Sequence, residues 1–225
     1  MRSFKKEAYL YVWRMKNRLA YIFFFVGALS MIIMSAHYLQ HDVTGILKRK
    51  EASQSFLYLL IFRGHVFFGL IAITVGIIQL IPNLRSKYLG LHRRVGYIYI
   101  LSVLSSSLSG IVVAQFAMGG ISTAIGFSIL AMVWFVTTLK SLTTVLKGDI
   151  QTHKKWSTYS YALTFAAITQ RTLLLIPLLT SMPFLPVYRL SAWLPWLLNL
   201  VIAHRALRRR MKPIPSGFSN ALKSG

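Results

Sequence analysis

Negative charge is almost absent from this chain. Among 225 residues only Glu7, Asp42, Glu51 and Asp149 are acidic, against 26 lysines and arginines, and the formal net charge is +22. Cysteine is absent altogether, which excludes disulfides, thiolate metal sites and thiol nucleophiles. No carboxylate pair falls within an apolar run, and neither H-E-x-x-H nor G-x-S-x-G occurs. The sequence therefore offers no hydrolase motif.

Charged residues of both signs are also scarce. They make up 13% of the chain, whereas about a quarter is usual in soluble domains. Hydrophobic residues reach 55%, the mean hydropathy is +0.57, and the apolar residues come in long runs. Each membrane-spanning helix needs about 20 apolar residues, so six spans and their loops use up the chain. We expect no separate soluble domain.

Six apolar runs predict an all-α integral membrane protein, a bundle of six transmembrane helices. The predicted spans are 19–36, 56–81, 95–118, 121–139, 156–179 and 187–203. The sixth is the weakest, because it is short and contains Arg189 and Pro195. Residues 1–18 carry an apolar stripe at helical spacing, which predicts a cytoplasmic interfacial helix. The transmembrane domain then covers 19–206, and 207–225 is predicted to be a basic, disordered cytoplasmic tail.

The basic residues are distributed unevenly between the two sides of the predicted membrane. Twenty of the lysines and arginines precede the first span, fill the second and fourth loops or follow the sixth span. The other side has only Lys48, Arg49, Lys50 and Arg189. The positive-inside rule then places both termini in the cytoplasm. The same placement favours contact with anionic lipid headgroups over binding to nucleic acid.

Three predicted spans carry a stripe of small and polar residues at steps of three and four, and each stripe includes a histidine. The stripes are His65, Gly69, Ala72, Gly76 and Gln79; His92, Gly96, Tyr99, Val103, Ser106 and Gly110; and His153, Ser157, Ser160, Thr164, Ala167 and Arg171. Such stripes are common where helices pack in membranes, and they also let a flat ligand approach closely. Both interpretations stay open at this point.

The histidines differ in predicted depth. His92 and His153 both precede spans that start at the cytoplasm, so they lie at similar depth on parallel helices and could face one ligand. His65 lies about 25 Å from the cytoplasmic end of its own helix, so it cannot share a metal with them. His37 and His41 end the first span on the outer side, where they could lie near His65.

Arg63 and Arg171 are predicted to lie in the outer halves of their spans. No Asp or Glu falls inside any predicted span, and a buried charge at this depth is costly and usually marks a functional site. Snorkelling to the headgroups is the simpler explanation, easier for Arg63 than for Arg171. If Arg171 does not reach the headgroups, we predict a polar cavity that contains Arg171 and His65 and accepts an anionic group. The other available partners are backbone carbonyls and the amides of Gln79, Gln115 and Gln170.

Several blocks in order resemble the bacterial membrane family catalogued as domain of unknown function 2306. They are RGHVFFGLIAITVGIIQLIPNLR (63–85), LHRRVGYIY (91–99), GDIQTHKKW (148–156), SYALTFAAITQR (160–171) and AWLPWLLNL (192–200). The resemblance covers roughly residues 60–205, and Ser157 departs from it where a methionine is common. It implies recurrent polar positions at His65, His92, Asp149, His153, Trp156 and Arg171. The family name implies no function.

HVFFG and LHRRVGYIYIL are also similar to the histidine-led helices of two-haem b-type cytochromes. That resemblance implies axial haem ligation by His92 and His153, with His65 and an outer histidine at a second site. The fourth span has no histidine, which departs from the paired histidines of four core helices. One haem, or none, therefore fits the sequence as well as two.

Three functions remain open. The first is a haem-b electron carrier or reductase that works with a redox partner or a quinone; this is the only class of enzyme that the sequence suggests. The second is a non-redox protein that binds or transports an anionic lipid or small molecule through Arg171 and Arg63. The third is a structural or assembly partner in the membrane, in which the histidines only form hydrogen bonds.

Overall fold

The computed structural model describes residues 22–35, 37–39, 55–81, 84 and 87–210. Within these ranges the chain is helical and contains no β-strand, so the prediction of an all-α protein is confirmed. The helices are α1 (Ile22–Ser35), α2 (Phe56–Gln79), α3 (Leu89–Gln115), α4 (Ile121–Leu146), α5 (Ile150–Thr164), α6 (Ala166–Leu173), α7 (Ile176–Leu179), α8 (Phe184–Ser191) and α9 (Leu194–Arg210). A short 3₁₀ turn, His37–Leu39, follows α1.

Five helical stretches are long and apolar enough to cross a membrane. These are α2, α3, α4, the consecutive helices α5–α7 over Ile150–Leu179, and α8–α9 over Phe184–Arg209. The described part of the first predicted span, α1, is shorter than a spanning helix, so the count of six stays a prediction. Residues 1–18 and 211–225 lie outside the described residues. α9 continues to Arg210, four residues into the stretch assigned to the tail.

Two tight turns connect α3, α4 and α5. Gly119 and Gly120 have φ values of 93° and 83°, and Gly148 has a φ of 78°, a region that glycine adopts without steric cost. After Gly148 the Asp149 carboxylate accepts the Thr152 backbone N–H at 2.9 Å and caps α5. That hydrogen bond holds the pKa of Asp149 below its ordinary value. The cap explains why α5 begins before the predicted boundary at residue 156.

Helices α2, α3, α4 and α5 pack in chain order, and α2 also contacts α5, which closes a four-helix arrangement. α1 lies against α2 and α6, where the ring of Phe24 stacks on that of Phe165 at 4.3 Å between centroids. α9 covers the other side, where Trp196 packs with Leu163 and Ala166. The stretch α5–α6 therefore lies between α1 and α9 and contacts most of the bundle.

Polar and apolar side chains are arranged as in a bundle surrounded by lipid. Large apolar side chains face outward, including Leu101 at 65% and Leu108 at 56% exposure. Hydroxyl side chains are enclosed instead, and Ser106, Ser107 and Thr138 are 0% exposed. Water-soluble proteins bury apolar side chains preferentially; the opposite distribution here fits helices whose outer faces contact the bilayer.

Most of the described basic residues lie at one end of the bundle, which we call the basic end. Hydrogen bonds join the chain segments there: Gln79 of α2 to the His92 carbonyl, and Tyr159 of α5 to His204 of α9. The exposed basic residues of this end are Lys87, Arg93, Arg94, Lys140, Lys147, Lys154, Lys155, Arg205, Arg208 and Arg209. At the opposite end, the Arg189 Nε donates to the Gly119 carbonyl at 3.0 Å.

Candidate functional site

The stripes of α2 and α3 pack against each other. A methyl group added at Gly76 would lie 3.3 Å from the ring of Tyr99, and one added at Gly96 would lie 3.1 Å from the Gln79 Nε2. Ala72 is 0% exposed beside Tyr99. Small residues thus let the two backbones approach closely. For the small residues of these two helices, the structure supports the interpretation as helix packing.

A network of hydroxyl groups lies midway along the bundle and joins α3, α4 and α5. The Tyr99 hydroxyl is 2.7 Å from both the Ser160 Oγ and the Thr164 Oγ1. Ser160 also contacts the Thr138 Oγ1 at 2.6 Å, and the Trp134 Nε1 donates to Thr164 at 3.0 Å. The four hydroxyl-bearing residues are buried. The network satisfies their polar groups without water and fixes how the three helices pack.

Sequence reasoning missed the partners on α4. Tyr99, Ser160 and Thr164 lie on the predicted stripes, but no stripe is predicted on the fourth span. Trp134, Thr138 and Ser141 do recur there at steps of four and three. That spacing was the signal of a polar face, although it does not say which helix the face contacts.

His153 lies near the basic end, against α4. Its Nδ1 is 2.9 Å from the Ser141 carbonyl oxygen and 3.2 Å from the Ser141 Oγ, which in turn is 2.7 Å from the Ser157 Oγ. A carbonyl only accepts, so Nδ1 carries the hydrogen and donates it. In the neutral tautomer Nε2 then carries the lone pair that a metal would bind, and the Ser157 Oγ lies 3.5 Å from it.

His92 lies at the same level of the bundle as His153. His92 precedes Tyr99 by seven positions, and His153 precedes Ser160 by seven; Tyr99 and Ser160 are hydrogen-bonded to each other. Seven residues make about two turns of helix and return to the same face. Their described contacts, however, are with different helices. The His92 backbone carbonyl accepts from Gln79 of α2 at 2.8 Å, whereas the His153 ring is bonded to α4.

His65 lies in the half of the bundle away from the basic end, between α2 and α3. Its Nδ1 is 2.8 Å from the Ser106 carbonyl oxygen, and the Ser106 Oγ donates to the His65 carbonyl at 3.0 Å. A methyl group at Gly110 would come within 3.1 Å of the imidazole ring, so Gly110 makes the space for it. His41 and the side chain of His37, which could lie nearby, are outside the described residues.

Arg171 lies on α6, in the same half as His65. Its Nη1 donates to the Gln170 Oε1 at 2.7 Å, and the Gln170 Nε2 donates to the Ser191 Oγ at 3.4 Å. Arg171 forms no other hydrogen bond with the described residues, and its side chain keeps part of its accessible surface. Gln115, a predicted neighbour, is bonded instead to Ser128 of α4. Gln170 is thus the glutamine that contacts the guanidinium.

Several elements surround Arg171. It lies close enough for its charge to act on His65 of α2, on Tyr38 of the 3₁₀ turn and on Tyr188 of α8. The only acidic residue among those described is Asp149, which precedes Arg171 by 22 residues, or about 33 Å of helix. Arg171 therefore faces other helices of the bundle, and no described carboxylate is near enough to neutralise it.

Aromatic side chains line the opposite end beyond Arg171. Tyr58 is 5% exposed, and its hydroxyl has no hydrogen-bond partner in the described part of the chain. Its ring packs against Phe116 at 4.8 Å and Phe62 at 6.2 Å between centroids. Tyr58 is close enough to Tyr188 for an electrostatic interaction. Sequence reasoning missed this group, since aromatic residues near span ends usually indicate only membrane interfaces.

Arg63 belongs to a different face of α2. It is partly buried and interacts with its surroundings. It precedes His65 by two positions, which turns it by about 200° around the helix. The structure therefore does not bring Arg63 and His65 to one face. Among the described residues there is also no group of three or more His, Cys, Asp or Glu that could hold a metal ion.

Comparison with known proteins gives one match. The model of the family described as "Predicted membrane protein (DUF2306)" matches residues 62–206, a range that includes His65, His92, His153 and Arg171. No curated protein and no solved structure matches the chain.

Proposed function

The chain belongs to the DUF2306 family of predicted membrane proteins, and from that premise we propose that it binds a molecule with an anionic group at Arg171. The observation that carries this proposal is the environment of the guanidinium. Arg171 faces the bundle interior, donates to Gln170, and has no carboxylate near it among the described residues. A charge in such a low-dielectric site is stable only with hydrogen bonds and an opposite charge. A bound anion supplies both.

The competing source of negative charge is the chain itself. Asp42 and Glu51 belong to residues 40–54, outside the described residues, and follow Tyr38, which lies near Arg171. If either carboxylate neutralised Arg171, its replacement by an amide would destabilise the protein as much as Arg171→Gln does. The variants Asp42→Asn and Glu51→Gln therefore separate an internal ion pair from a bound ligand.

The proposal is tested by identifying what copurifies with the protein. Wild type, Arg171→Gln and the control Arg189→Gln are purified in a neutral detergent, and bound small molecules are measured by mass spectrometry. Arg189 is exposed and, among the described residues, its side chain hydrogen-bonds only to a turn carbonyl, so we expect wild type and the control to retain the same anion. Arg171→Gln should lose at least about nine-tenths of it, since a charge-assisted hydrogen bond contributes about 1.5–3 kcal/mol. Equal retention by all three proteins would contradict the proposal.

A second candidate is haem-b binding by His92 and His153, in an electron carrier that exchanges electrons with a redox partner or quinone. It is favoured by their common level and by the His153 Nδ1–H donated to the Ser141 carbonyl, which places the lone pair on Nε2. Iron would have to displace the Ser157 Oγ, which lies 3.5 Å from that nitrogen. His65 has the same arrangement with Ser106 and is the candidate ligand of a second site. Haem would supply one-electron chemistry, while the chain would supply the ligands and their orientation.

The haem candidate has a direct test. Protein purified from a haem-replete host should show a reducible Soret band, and His153→Ala should abolish it. His204→Ala is the matched control, since His204 is exposed and contacts Tyr159 instead. A wild-type protein without a Soret band would exclude haem.

We propose further that the basic end faces the cytoplasm of a bacterium and that the helices lie in its inner membrane. The concentration of exposed lysines and arginines at that end supports this orientation. Reporter fusions at residues 88, 151 and 220 should then report a cytoplasmic location, and fusions at 45 and 186 an outside location. An outside signal from the fusion at residue 220 would contradict it.

A further inference from the structure

Trp156 lies at the basic end, on the face of α5 between its neighbours α4 and α9. Ser160, four positions further on, is bonded to Thr138 of α4 at 2.6 Å, and Tyr159, three positions further on, is bonded to His204 of α9 at 3.0 Å. Residues three and four positions away flank a helical side chain on the next turn. Trp156 therefore lies at the boundary between α4 and α9, where it is partly exposed.

Two lysines from different helices approach the ring of Trp156. The Lys140 Nζ of α4 lies 4.4 Å from the ring centroid, and the Lys155 Nζ of α5 lies 5.7 Å from it. Both lysines are exposed, and like charges near one ring repel each other. The only acidic residue among those described, Asp149, caps α5 instead. An anion beside Trp156 would thus be attracted by both ammonium groups and would offset their repulsion.

Exposed apolar side chains continue from this site along the outer surface of the bundle. On α4, Val136 and Met132 precede Lys140 by four and eight positions, so the three share one face of the helix, and both apolar side chains are exposed. Leu197 and Val201 of α9 are exposed as well. Such faces contact acyl chains in a bilayer. A lipid whose head lies at Lys140 would therefore find apolar surface for its chains directly below.

The kind of anion follows from these surroundings. Tryptophan and tyrosine near the ends of spans lie at the level of the lipid headgroups, and basic pockets between membrane helices bind anionic heads. A water-soluble phosphate would be attracted by the two lysines but would gain nothing from the apolar faces. The charge and the apolar surface together favour a lipid.

We propose that the boundary of α4, α5 and α9 at the basic end binds an anionic phospholipid. Its phosphate contacts Lys140 and Lys155 beside Trp156, and its acyl chains lie along Val136 and Met132. This site is separate from Arg171, which lies in the other half of the bundle, and does not depend on what Arg171 binds. Phospholipid held here would be retained equally by wild type and Arg171→Gln, so the two proposals fail separately.

Quenching of tryptophan fluorescence by brominated lipids tests the site on the full-length protein. The protein is reconstituted in phosphatidylcholine vesicles at neutral pH, with a rising minor share of either phosphatidylglycerol or phosphatidylcholine brominated near the start of its acyl chains. We expect brominated phosphatidylglycerol to quench wild type at a share at least about fivefold lower than brominated phosphatidylcholine, since each lysine near a phosphate contributes about that factor. Trp156→Phe should lose this selective component. Equal quenching by the two lipids in wild type, or a selective component that persists in Trp156→Phe, would overturn the inference.

A pair of double variants separates a defined site from the general attraction of a basic surface. Lys140→Gln/Lys155→Gln should lower the preference for phosphatidylglycerol by at least about fivefold. The control, Lys87→Gln/Arg93→Gln, removes the same charge from exposed positions near the start of α3 and should lower it by less than about twofold. Equal losses in the two double variants would refute the assigned site. Because all four residues are exposed, this comparison holds even if Trp156→Phe fails to fold.

A competition experiment tests the choice of a lipid over a free anion. Inorganic phosphate is added at millimolar concentration and constant ionic strength to wild type in vesicles with brominated phosphatidylglycerol. We expect the quenching to stay unchanged, because free phosphate lacks the acyl chains that contact α4. Recovery of the Trp156 fluorescence would assign the two lysines to a soluble anion and would overturn the lipid assignment.

Discussion

The Tyr99→Phe substitution tests whether the buried hydroxyl network stabilises the bundle. It removes one oxygen that lies 2.7 Å from both Ser160 and Thr164 and leaves the ring packing intact. Hydrogen bonds between membrane helices contribute about 0.6 kcal/mol on average and up to about 1.7, so two of them predict a loss of roughly 1–3 kcal/mol. Ser160 keeps Thr138 and Thr164 keeps Trp134, so no partner is left unsatisfied. We therefore expect Tyr99→Phe to lower the free energy of unfolding by about 1–2 kcal/mol.

Reversible unfolding in bicelles, measured by steric trapping, gives the free energy directly. Tyr97→Phe is the matched control, because Tyr97 lies on the same helix and is 56% exposed. A loss for Tyr99→Phe no larger than that of Tyr97→Phe would refute the view that this network stabilises the packing of α3, α4 and α5.

Further predictions use the same preparation. Gly126→Ala should destabilise the protein by about 1–3 kcal/mol, because its methyl group would lie 2.9 Å from the Ala192 carbonyl oxygen; Gly64→Ala, which meets open space, should be neutral or stabilise by up to about 1 kcal/mol. Equal effects would contradict the packing of α4 on α8–α9. Asp149→Ala should lower the melting temperature at pH 7 by removing the α5 cap. Since the pKa of Asp149 is lowered in the folded state, the ionised cap stabilises above the ordinary aspartate pKa and is lost as the pH falls through the lowered value. The difference in melting temperature between wild type and Asp149→Ala should therefore narrow below about pH 4. An unchanged difference would contradict this role of the ionised cap.

The existence of the middle spans could be predicted from sequence because hydropathy is a local property. Their ends could not, because helices continue beyond their apolar part. α3 begins at Leu89 instead of residue 95, and α4 continues to Leu146, past the predicted end at 139. In both cases the added turns lie near the basic end, where polar side chains are exposed and apolar composition no longer marks the helix.

The site was predictable only in part, for a related reason. Periodicity placed Arg171 and His153 on one face of their span, and contacts to neighbouring helices lie along that face. Periodicity does not say which helices are neighbours, so Thr138 and Tyr58 were missed. Gln115 was considered beside Arg171 because of its depth alone, but the structure bonds it to Ser128.

An experimental structure of the protein in lipid nanodiscs would test the central claim, anion binding at Arg171, most directly. The expected result is density for a non-protein molecule with an oxyanion about 2.7–3.0 Å from the Arg171 Nε and Nη2. A guanidinium paired with Asp42 or Glu51, or extended to the headgroup level of the bilayer, would contradict it.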